Sequence, residues 1–175
     1  DRLLSYGEQM SSKIVSAFLQ SENFPAVFQD SRELIATDSH FGNANVDSKK
    51  TNENLKNWKL ENQIYVVTGF IAKDKNDDTT TLGRGGSDYT AAILGSGLKA
   101  DEIQIWTDVD GFLTADPRLV KNAFSQSELS YQEAMEMSYF GAKVIYPPTM
   151  IPAIESQIPI YIKNTFKPES QGTLI

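Results

Sequence analysis

Residues 83–106 read GRGGSDYTAAILGSGLKADEIQIW, and this stretch decides the fold class. Its glycine-rich opening is followed by a run rich in Ala, Leu and Ile. That run, Tyr89 to Leu98, predicts a packed helix with Ser87 as its N-cap. Ile103 to Trp106 then predicts a strand. A glycine turn, a helix and a strand in this order are typical of an α/β protein.

Upstream of this stretch the sequence predicts one helix and two strands. Apolar residues recur at helical spacing over residues 6–20, which indicates an amphipathic helix with Glu8 in its first turn. Ala26 to Phe28 predicts a short buried strand. Ile64 to Thr68 is β-branched and aromatic, as expected of a strand buried in a parallel sheet.

Other segments complete the predicted order of elements. Residues 39–61 are polar and predict a loop with one exposed helix, and residues 73–80 predict an exposed hairpin tip. Ser130 to Glu133 is a capping box that opens a helix over residues 134–139. Pro147-Pro148 precede a short helix that ends near Gln157, and residues 158–162 predict the last strand. Strands and helices that alternate in this way predict an α/β sandwich around a mostly parallel sheet.

Composition excludes several functional classes. The 175 residues are 40% hydrophobic, enough for a buried core, and the length favours one domain. No run of eighteen apolar residues or signal-peptide core is present, so we expect a cytoplasmic protein without membrane insertion. No cysteine and a single histidine, His40, exclude thiolate and zinc-cluster chemistry. A net charge of −7 argues against nucleic acid as a partner.

The first segment that carries chemistry is Gly83-Arg84-Gly85-Gly86-Ser87-Asp88. Its glycines let the backbone approach a ligand, and the helix that follows offers free N–H groups, so the segment predicts an anion site. A plain glycine-rich turn with a surface arginine fits the same six residues. Asp88 stands where G-x-G-x-x-G requires its third glycine, and no Gly-Lys-Ser/Thr sequence follows. A Rossmann dehydrogenase is therefore disfavoured.

A second polar segment, Trp106-Thr107-Asp108-Val109-Asp110-Gly111, follows a predicted strand. Polar side chains at this point cluster at the carboxyl end of a sheet, where α/β proteins bind ligands. A plain strand-to-turn corner is the alternative. A calcium loop of the EF-hand kind is excluded, because that loop requires a glutamate where Leu119 stands.

The third segment, Ser138 to Val144, contains a single lysine, Lys143, just after a predicted helix end. Its neighbours are apolar. Taken alone, this lysine fits a side chain that snorkels to solvent as well as one that binds a ligand.

These three segments, in this order and at these separations, resemble the aspartokinase branch of the amino-acid kinase family. The resemblance runs from Asp1 to Ile175 and is densest from Val66 onward. The matching stretches are Ser5-Tyr6-Gly7-Glu8, Val67-Thr68-Gly69-Phe70, Leu82 to Ala91, Ile105 to Gly111, Asp116-Pro117-Arg118, Tyr131 to Val144, and Ile162-Lys163-Asn164-Thr165 with Gly172-Thr173-Leu174.

The resemblance implies a three-layer αβα sandwich of the amino-acid kinase or carbamate kinase-like fold. It implies transfer of the γ-phosphoryl group of ATP to the β-carboxylate of L-aspartate, giving 4-phospho-L-aspartate. That is the first step toward lysine, threonine, methionine and isoleucine. ATP and L-aspartate are the expected small-molecule partners, with Mg²⁺ because phosphoryl transfer generally requires a divalent cation. The full-length protein is expected to be a homo-oligomer, and residues 162–165 resemble bifunctional aspartokinase–homoserine dehydrogenases.

The resemblance also assigns roles to residues. An aspartate substrate has one ammonium and two carboxylates, which suit an acid and a forked guanidinium. Glu8 takes the acidic acceptor-binding role, and Arg84 with Ser87 binds the carboxylate. Asp88 and Lys143 form the catalytic pair, in which Asp88 holds Lys143 against the phosphates. The residues matched to ATP contacts are Thr107, Asp108, Leu113, Arg118, Lys143 and Val144, and no metal ligand is assigned. At Leu113 the family commonly has tyrosine, so one nucleotide contact departs from the pattern.

A Lys-Phe-Gly-Gly-Thr-Ser segment, which supplies a catalytic lysine in the family, is not present in this sequence. We therefore expect the C-terminal part of an aspartokinase catalytic domain, inactive by itself but able to bind nucleotide weakly. Residues 1–65 would be the remainder of the acceptor-binding half and residues 66–175 the nucleotide-binding half. Two alternatives stay open: another amino-acid kinase acting on glutamate or acetylglutamate, and a non-catalytic regulatory module derived from such a kinase.

Overall fold

A computed structural model describes residues 1–115, 119–140 and 144–175. The chain divides into two compact units, Asp1–Thr90 and Ala91–Ile175. The assignment of residues 1–65 and 66–175 to acceptor and nucleotide halves stays a prediction.

The first unit combines helices with short strands. Its elements are α1 (Arg2–Ser21), β1 (Ala26–Gln29), β2 (Ala36–Thr37), α2 (Ser48–Asn57), β3 (Ile64–Val67), β4 (Ile71–Asp74) and β5 (Thr79–Thr81), with a 3-10 turn at Ser31–Glu33. β1 pairs with β3 in parallel and β2 with β4 in parallel, whereas β4 and β5 form an antiparallel hairpin. The predicted exposed hairpin tip is confirmed at residues 75–78.

Helix α1 begins at Arg2, earlier than the predicted start at residue 6, so the expectation that Glu8 lies in its first turn is wrong. The buried residues of α1 are serines: Ser5, Ser12 and Ser16. Small side chains let a helix approach a sheet closely, and α1 packs on β1 and β3. The apolar residues that suggested the helix are mostly on the outside, with Ile14 65% exposed.

The strand predicted at residues 64–68 exists as β3, but the expectation that it is buried within a sheet is wrong. In the part of the chain that the structure describes, β3 pairs with β1 alone. Ile64 is 41% exposed, and the rest of the strand is half-buried. The exposed helix predicted within residues 39–61 is confirmed as α2, most of whose residues are exposed, while Thr51 and Leu55 are buried on one face.

Helix α3 (Gly86–Leu98) leads into the second unit. The elements that follow are β6 (Ile103–Thr107), α4 (Tyr131–Phe140), α5 (Ile151–Glu155), β7 (Ile160–Asn164) and β8 (Thr173–Leu174). β6 and β7 pair in parallel from Ile103 opposite Ile160 to Thr107 opposite Asn164, and β8 is antiparallel to β7. The last predicted strand therefore begins at Ile160, two residues later than expected.

The two predicted helix N-caps, at Ser130 and Ser87, had different outcomes. The capping box is confirmed, because Ser130 N donates to Glu133 Oε2 at 2.8 Å and Glu133 N donates to Ser130 Oγ at 3.3 Å. The assignment of Ser87 as an N-cap is wrong. Helix α3 begins at Gly86, and Tyr89 N donates to the carbonyl of Gly85 at 2.9 Å, so Ser87 lies in the first turn.

The second unit has an apolar core that includes Phe112, Ile160 and Ile162. The predicted α/β class is confirmed, since helices alternate with strands and each sheet among the described residues contains a parallel pair. Over residues 1–115, 119–140 and 144–175, no helix combines the length and apolar character that a bilayer span requires.

Candidate functional site

The first unit contains a cleft of about 330 Å³. Its lining residues are Glu8, Phe70, Gly83, Gly85, Gly86, Ser87 and Asp88. The volume is at the lower end of the range for small-molecule sites. Three residues proposed from the sequence, Glu8, Ser87 and Asp88, therefore share one cavity.

The glycine segment gives this cleft a backbone wall. Gly83 and Gly85 have φ of +71° and +69°, which is the left-handed region that favours glycine. Alternation of left- and right-handed residues turns successive N–H groups toward one concave side. In the first turn of α3, Gly86 N donates to the Gly83 carbonyl and Tyr89 N to the Gly85 carbonyl, so Ser87 and Asp88 carry the N–H groups that have no partner within the helix. This wall is suited to an anionic group such as a carboxylate.

The acidic residues of the cleft come from different elements. Glu8 is half-buried on α1, and Asp88 is half-buried in the first turn of α3. Burial raises the pKa of the Asp88 carboxyl above its ordinary value. Carboxylates and free N–H groups in one small cavity suit a ligand that carries both an ammonium and a carboxylate.

Arg84 stands apart from the other predicted acceptor residues. It lies between two lining glycines, and its side chain is exposed and is not one of the groups that line the cleft. Its assignment to the acceptor carboxylate stays a prediction.

Phe70 also lines the cleft, although the sequence predicted no role for it. Its φ of +68° is uncommon for a residue with a side chain. Ile71 N donates to the carbonyl of Gly69 at 2.7 Å, which closes a strained three-residue γ-turn around Phe70. Backbone strain of this kind concentrates at functional sites. Phe70 belongs to the matching stretch of residues 67–70, but its residue type alone gave no reason to assign it a role.

In the second unit, the predicted nucleotide residue Thr107 ends β6 and Asp108 follows it, as the sequence indicated. Thr107 Oγ1 donates to Asp108 Oδ1 at 3.2 Å, and Asp108 is exposed. Asn164 ends the neighbouring parallel strand opposite Thr107. Polar groups thus meet at the carboxyl edge of this sheet, where α/β proteins bind ligands.

An ion pair missed by the sequence reading lies beside this edge. Lys167 Nζ donates to Asp110 Oδ2 at 2.8 Å, and Asn164 Nδ2 donates to Asp110 Oδ1. The Lys167 ammonium, followed by the Asn164 amide, holds the pKa of Asp110 below its ordinary value. The next residue, Gly111, has a φ of +111°, and a Cβ there would lie 2.4 Å from Thr173 Oγ1.

Of the remaining predicted nucleotide residues, two lie in the second unit and two lie outside the described residues. Leu113 is half-buried and bridges to Ser125, and Val144 packs against the core of the second unit. Arg118 and Lys143 lie outside the described residues. Within the described ranges, no group of three or more His, Cys, Asp or Glu side chains is placed to hold a metal ion.

Comparison with known proteins places this geometry in a family. A family model described as the amino acid kinase family matches residues 1–164. This chain belongs to the amino acid kinase family. The glycine wall, the α3 start and the polar end of β6 are therefore parts of an amino acid kinase.

Relatives with aspartokinase names cover the whole chain. The bifunctional aspartokinase/homoserine dehydrogenase of Buchnera aphidicola is 43% identical over 175 residues, which are 99% of this chain and 21% of that protein. Lysine-sensitive aspartokinase 3 of Escherichia coli is 40% identical, over 100% of this chain and 40% of its own length.

Solved structures agree with the sequence relatives. The crystal structure of E. coli aspartokinase III in complex with aspartate and ADP matches with a TM-score of 0.93 and 40% identity. The match covers 99% of this chain and 39% of that one. The predicted amino-acid kinase fold is confirmed, and the chain spans about two fifths or less of the relatives' lengths.

Proposed function

We propose that the protein carrying this chain transfers the γ-phosphoryl group of ATP to the β-carboxylate of L-aspartate, giving 4-phospho-L-aspartate. The main support is the TM-score of 0.93 to an aspartokinase in complex with aspartate and ADP. The proposal includes the first step toward lysine, threonine, methionine and isoleucine, a homo-oligomeric full-length protein and a cytoplasmic location.

The acceptor cleft of the first unit has room for an amino acid. In the proposal, the Glu8 carboxylate binds the substrate ammonium, a charge-assisted hydrogen bond. The α-carboxylate is bound by the Arg84 guanidinium and by the Ser87 group at the start of α3. This arrangement leaves the β-carboxylate of aspartate free to react.

The reaction places few demands on acid–base chemistry. An oxygen of the ionised β-carboxylate attacks the γ-phosphorus, and the bond from that phosphorus to the β,γ-bridging oxygen breaks. The electron pair leaves with ADP, and no proton is removed from the nucleophile. Asp88 therefore has an orienting role, in which its carboxylate holds Lys143 against the phosphates.

Nucleotide binding is assigned to the second unit. Thr107 and Asp108 at the end of β6, together with Leu113 and Val144, would contact ATP, and Arg118 and Lys143 complete the proposed set. Mg²⁺ typically keeps several waters and binds phosphate oxygens, with only one or two carboxylates from the protein. The residues described fit an ion that arrives on ATP, where it would neutralise phosphate charge.

The direct test is to trap the product. Purified protein that carries this chain is incubated with ATP, Mg²⁺, hydroxylamine and L-aspartate, L-glutamate or N-acetyl-L-glutamate in turn. Hydroxylamine converts an acyl phosphate to a stable hydroxamate. Aspartyl hydroxamate alone is the expected product. Hydroxamate formed mainly from glutamate or acetylglutamate would indicate another amino-acid kinase, and no turnover by folded protein would indicate a non-catalytic module.

The Glu8 assignment is tested by Glu8→Gln in the same assay. Loss of a hydrogen bond to a charged group, worth about 1.5–3 kcal/mol, predicts a KM for aspartate about ten- to a hundredfold higher. Glu22→Gln, at the end of α1, is the matched control and should leave this KM unchanged. A normal KM in Glu8→Gln would remove Glu8 from the acceptor site.

Nucleotide binding is measured separately by calorimetric titration with Mg-ATP. We expect saturable binding that is lost in Lys143→Ala and retained in Lys75→Ala, which changes an exposed lysine of the hairpin tip. Equal binding by both variants would show that Lys143 is not a phosphate ligand.

A further inference from the structure

A buried hydroxyl connects the strained Phe70 turn to the start of α3. Thr90 is 3% exposed and belongs to α3. Its Oγ1 donates to the carbonyl of Gly86 at 2.8 Å and accepts from Phe70 N at 3.0 Å. One side chain thus bonds to both segments that form the cleft walls, without itself lining the cleft.

The Phe70 turn requires support from its surroundings. A left-handed conformation is costly for a residue with a Cβ and persists only where neighbouring groups hold it. The Phe70 carbonyl accepts from Leu82 N at 2.9 Å, and Thr90 holds the Phe70 N–H. Both polar backbone groups of the strained residue are therefore tied to the loop and helix that carry the glycine wall.

Beside the cleft, the Phe70 turn and the first turn of α3 are in close contact at two points. A Cβ placed on Gly69 would lie 2.9 Å from Ser87 Oγ, and a Cβ on Gly86 would lie 2.8 Å from the Phe70 ring. Any shift of the turn relative to α3 therefore moves Phe70, Ser87 or both, and both residues line the cleft.

We propose that Thr90 is a positioning residue for the acceptor amino acid. Its hydroxyl holds the Phe70 turn against the first turn of α3 and so fixes the width of the cleft at Ser87. The inference rests on the proposed function, since the acceptor is taken to be aspartate. Thr90 acts through Phe70 and Gly86 and does not contact the substrate.

The test compares Thr90→Val with Thr90→Ser in steady-state kinetics. Valine keeps the shape but removes both hydrogen bonds, so we expect the KM for aspartate to rise about three- to tenfold, the range of one neutral hydrogen bond. The KM for ATP should stay within about twofold, because the proposed nucleotide residues follow β6 instead of lining this cleft. Thr90→Ser retains the hydroxyl and should restore the KM for aspartate.

Thr51→Val is the matched control for general loss of stability. Thr51 is 2% exposed, and its Oγ1 accepts from Ala36 N at 3.1 Å, so it also loses a buried hydroxyl with a backbone partner. The residue does not line the cleft. Its substitution should lower thermal stability and leave both KM values unchanged.

The outcomes separate the two proposals. Wild-type protein that does not phosphorylate aspartate would overturn the proposed function and with it the acceptor role of Thr90. Active wild type with an unchanged KM for aspartate in Thr90→Val would overturn the positioning role alone, as would an equal rise in Thr51→Val. If Thr90→Val does not fold, Thr90→Ser provides the test of the positioning role. Its KM for aspartate is expected to lie within about twofold of the wild-type value. A tenfold rise in this KM would overturn the inference.

Discussion

The two compact units fill their interiors with different chemistry. The largest fully buried side chains of the first unit are mostly hydroxyls: Thr51, Thr68, Thr80, Thr81, Ser5 and Ser31, beside Ile35 and Ile71. In the second unit they are Phe112, Ile160 and Ile162, with one threonine, Thr173. Most of these buried hydroxyls of the first unit form hydrogen bonds, although the Thr81 hydroxyl has no partner among the described residues. The core of the second unit is mostly apolar.

The acceptor cleft requires directional hydrogen bonds, because such bonds hold the backbone of its wall in one conformation. Ser31 N donates to Thr68 Oγ1 at 2.8 Å, and Ser31 Oγ donates to the carbonyl of Ile71 at 2.6 Å. These bonds hold the chain immediately before and after the strained residue Phe70. Apolar contacts have no such directional preference, so they fill the space of a core without fixing one backbone conformation.

The largest expected effect is the loss of stability when a large side chain is removed from the apolar core of the second unit. Phe112→Ala removes a ring with no exposed surface and should cost about 3–5 kcal/mol of unfolding free energy. Urea denaturation followed by circular dichroism measures this loss. Phe124→Ala is the control, because Phe124 is 63% exposed and its loss should stay within about 0.5 kcal/mol. Similar losses in both variants would contradict an apolar core centred on Phe112.

A smaller effect is expected from the hydroxyl interior. Ser31→Ala removes the hydroxyl that bonds to the Thr68 hydroxyl and donates to the Ile71 carbonyl, while the N–H of residue 31 still donates to Thr68 Oγ1. The buried Ile71 carbonyl loses this partner, which should cost about 1–3 kcal/mol. The same denaturation experiment checks it.

Ser21→Ala provides the comparison for Ser31→Ala. Ser21 is exposed and donates to the Phe18 carbonyl at 2.7 Å at the end of α1, so water replaces the bond at little cost. A loss in Ser31→Ala no larger than in Ser21→Ala would mean that the buried hydroxyl network does not hold the first unit together.

The smallest effects are changes in pH dependence, with opposite sign in the two units. Burial raises the pKa of Asp88 in the folded state, so the ionised carboxylate opposes folding above that pKa. Asp88→Asn should therefore be more stable than wild type at pH 7. The difference should shrink as the pH falls through the raised pKa and vanish below the ordinary value of 3.8.

Asp110→Asn should behave in the opposite way. The Lys167 ammonium and the Asn164 amide lower the pKa of Asp110, which adds stability above the ordinary value of 3.8. The variant should be less stable than wild type at pH 7, and this difference should disappear as the pH falls through the lowered pKa. Denaturation of both variants from pH 7 to pH 3 checks the signs. The same sign in both would refute the contrast between the two carboxylates.

Sequence periodicity predicted the existence of most elements, because helices and strands carry their own local patterns. It failed where tertiary contacts decided the outcome. The apolar spacing over residues 6–20 indicated α1 correctly, yet Ser5, Ser12 and Ser16 form its buried face. The two-residue strands β2 and β8 are too short to leave a pattern, and each exists through pairing with a distant strand.

The residues of the candidate site were predicted only in part, because some follow from a local pattern and others from contacts between distant segments. Glycines before a helix indicate close backbone approach, and this pattern led to Ser87 and Asp88, which do share a cleft. The roles of Phe70 and Thr90 depend on a left-handed turn and on two hydrogen bonds between distant segments. Neither feature has a local pattern in the residues themselves.

The parallel pairing of β6 with β7 also sets the order of events during synthesis. Ile103 pairs with Ile160, so 57 residues must emerge from the ribosome between the two partners. At about 5–20 residues per second, β6 waits roughly 3–11 s with an unpaired edge. Residues 1–90, which form the first unit, have been synthesised by then, and their ladders are free to form during that interval. Slower translation after Thr107 would lengthen the exposure of β6, and faster translation would shorten it.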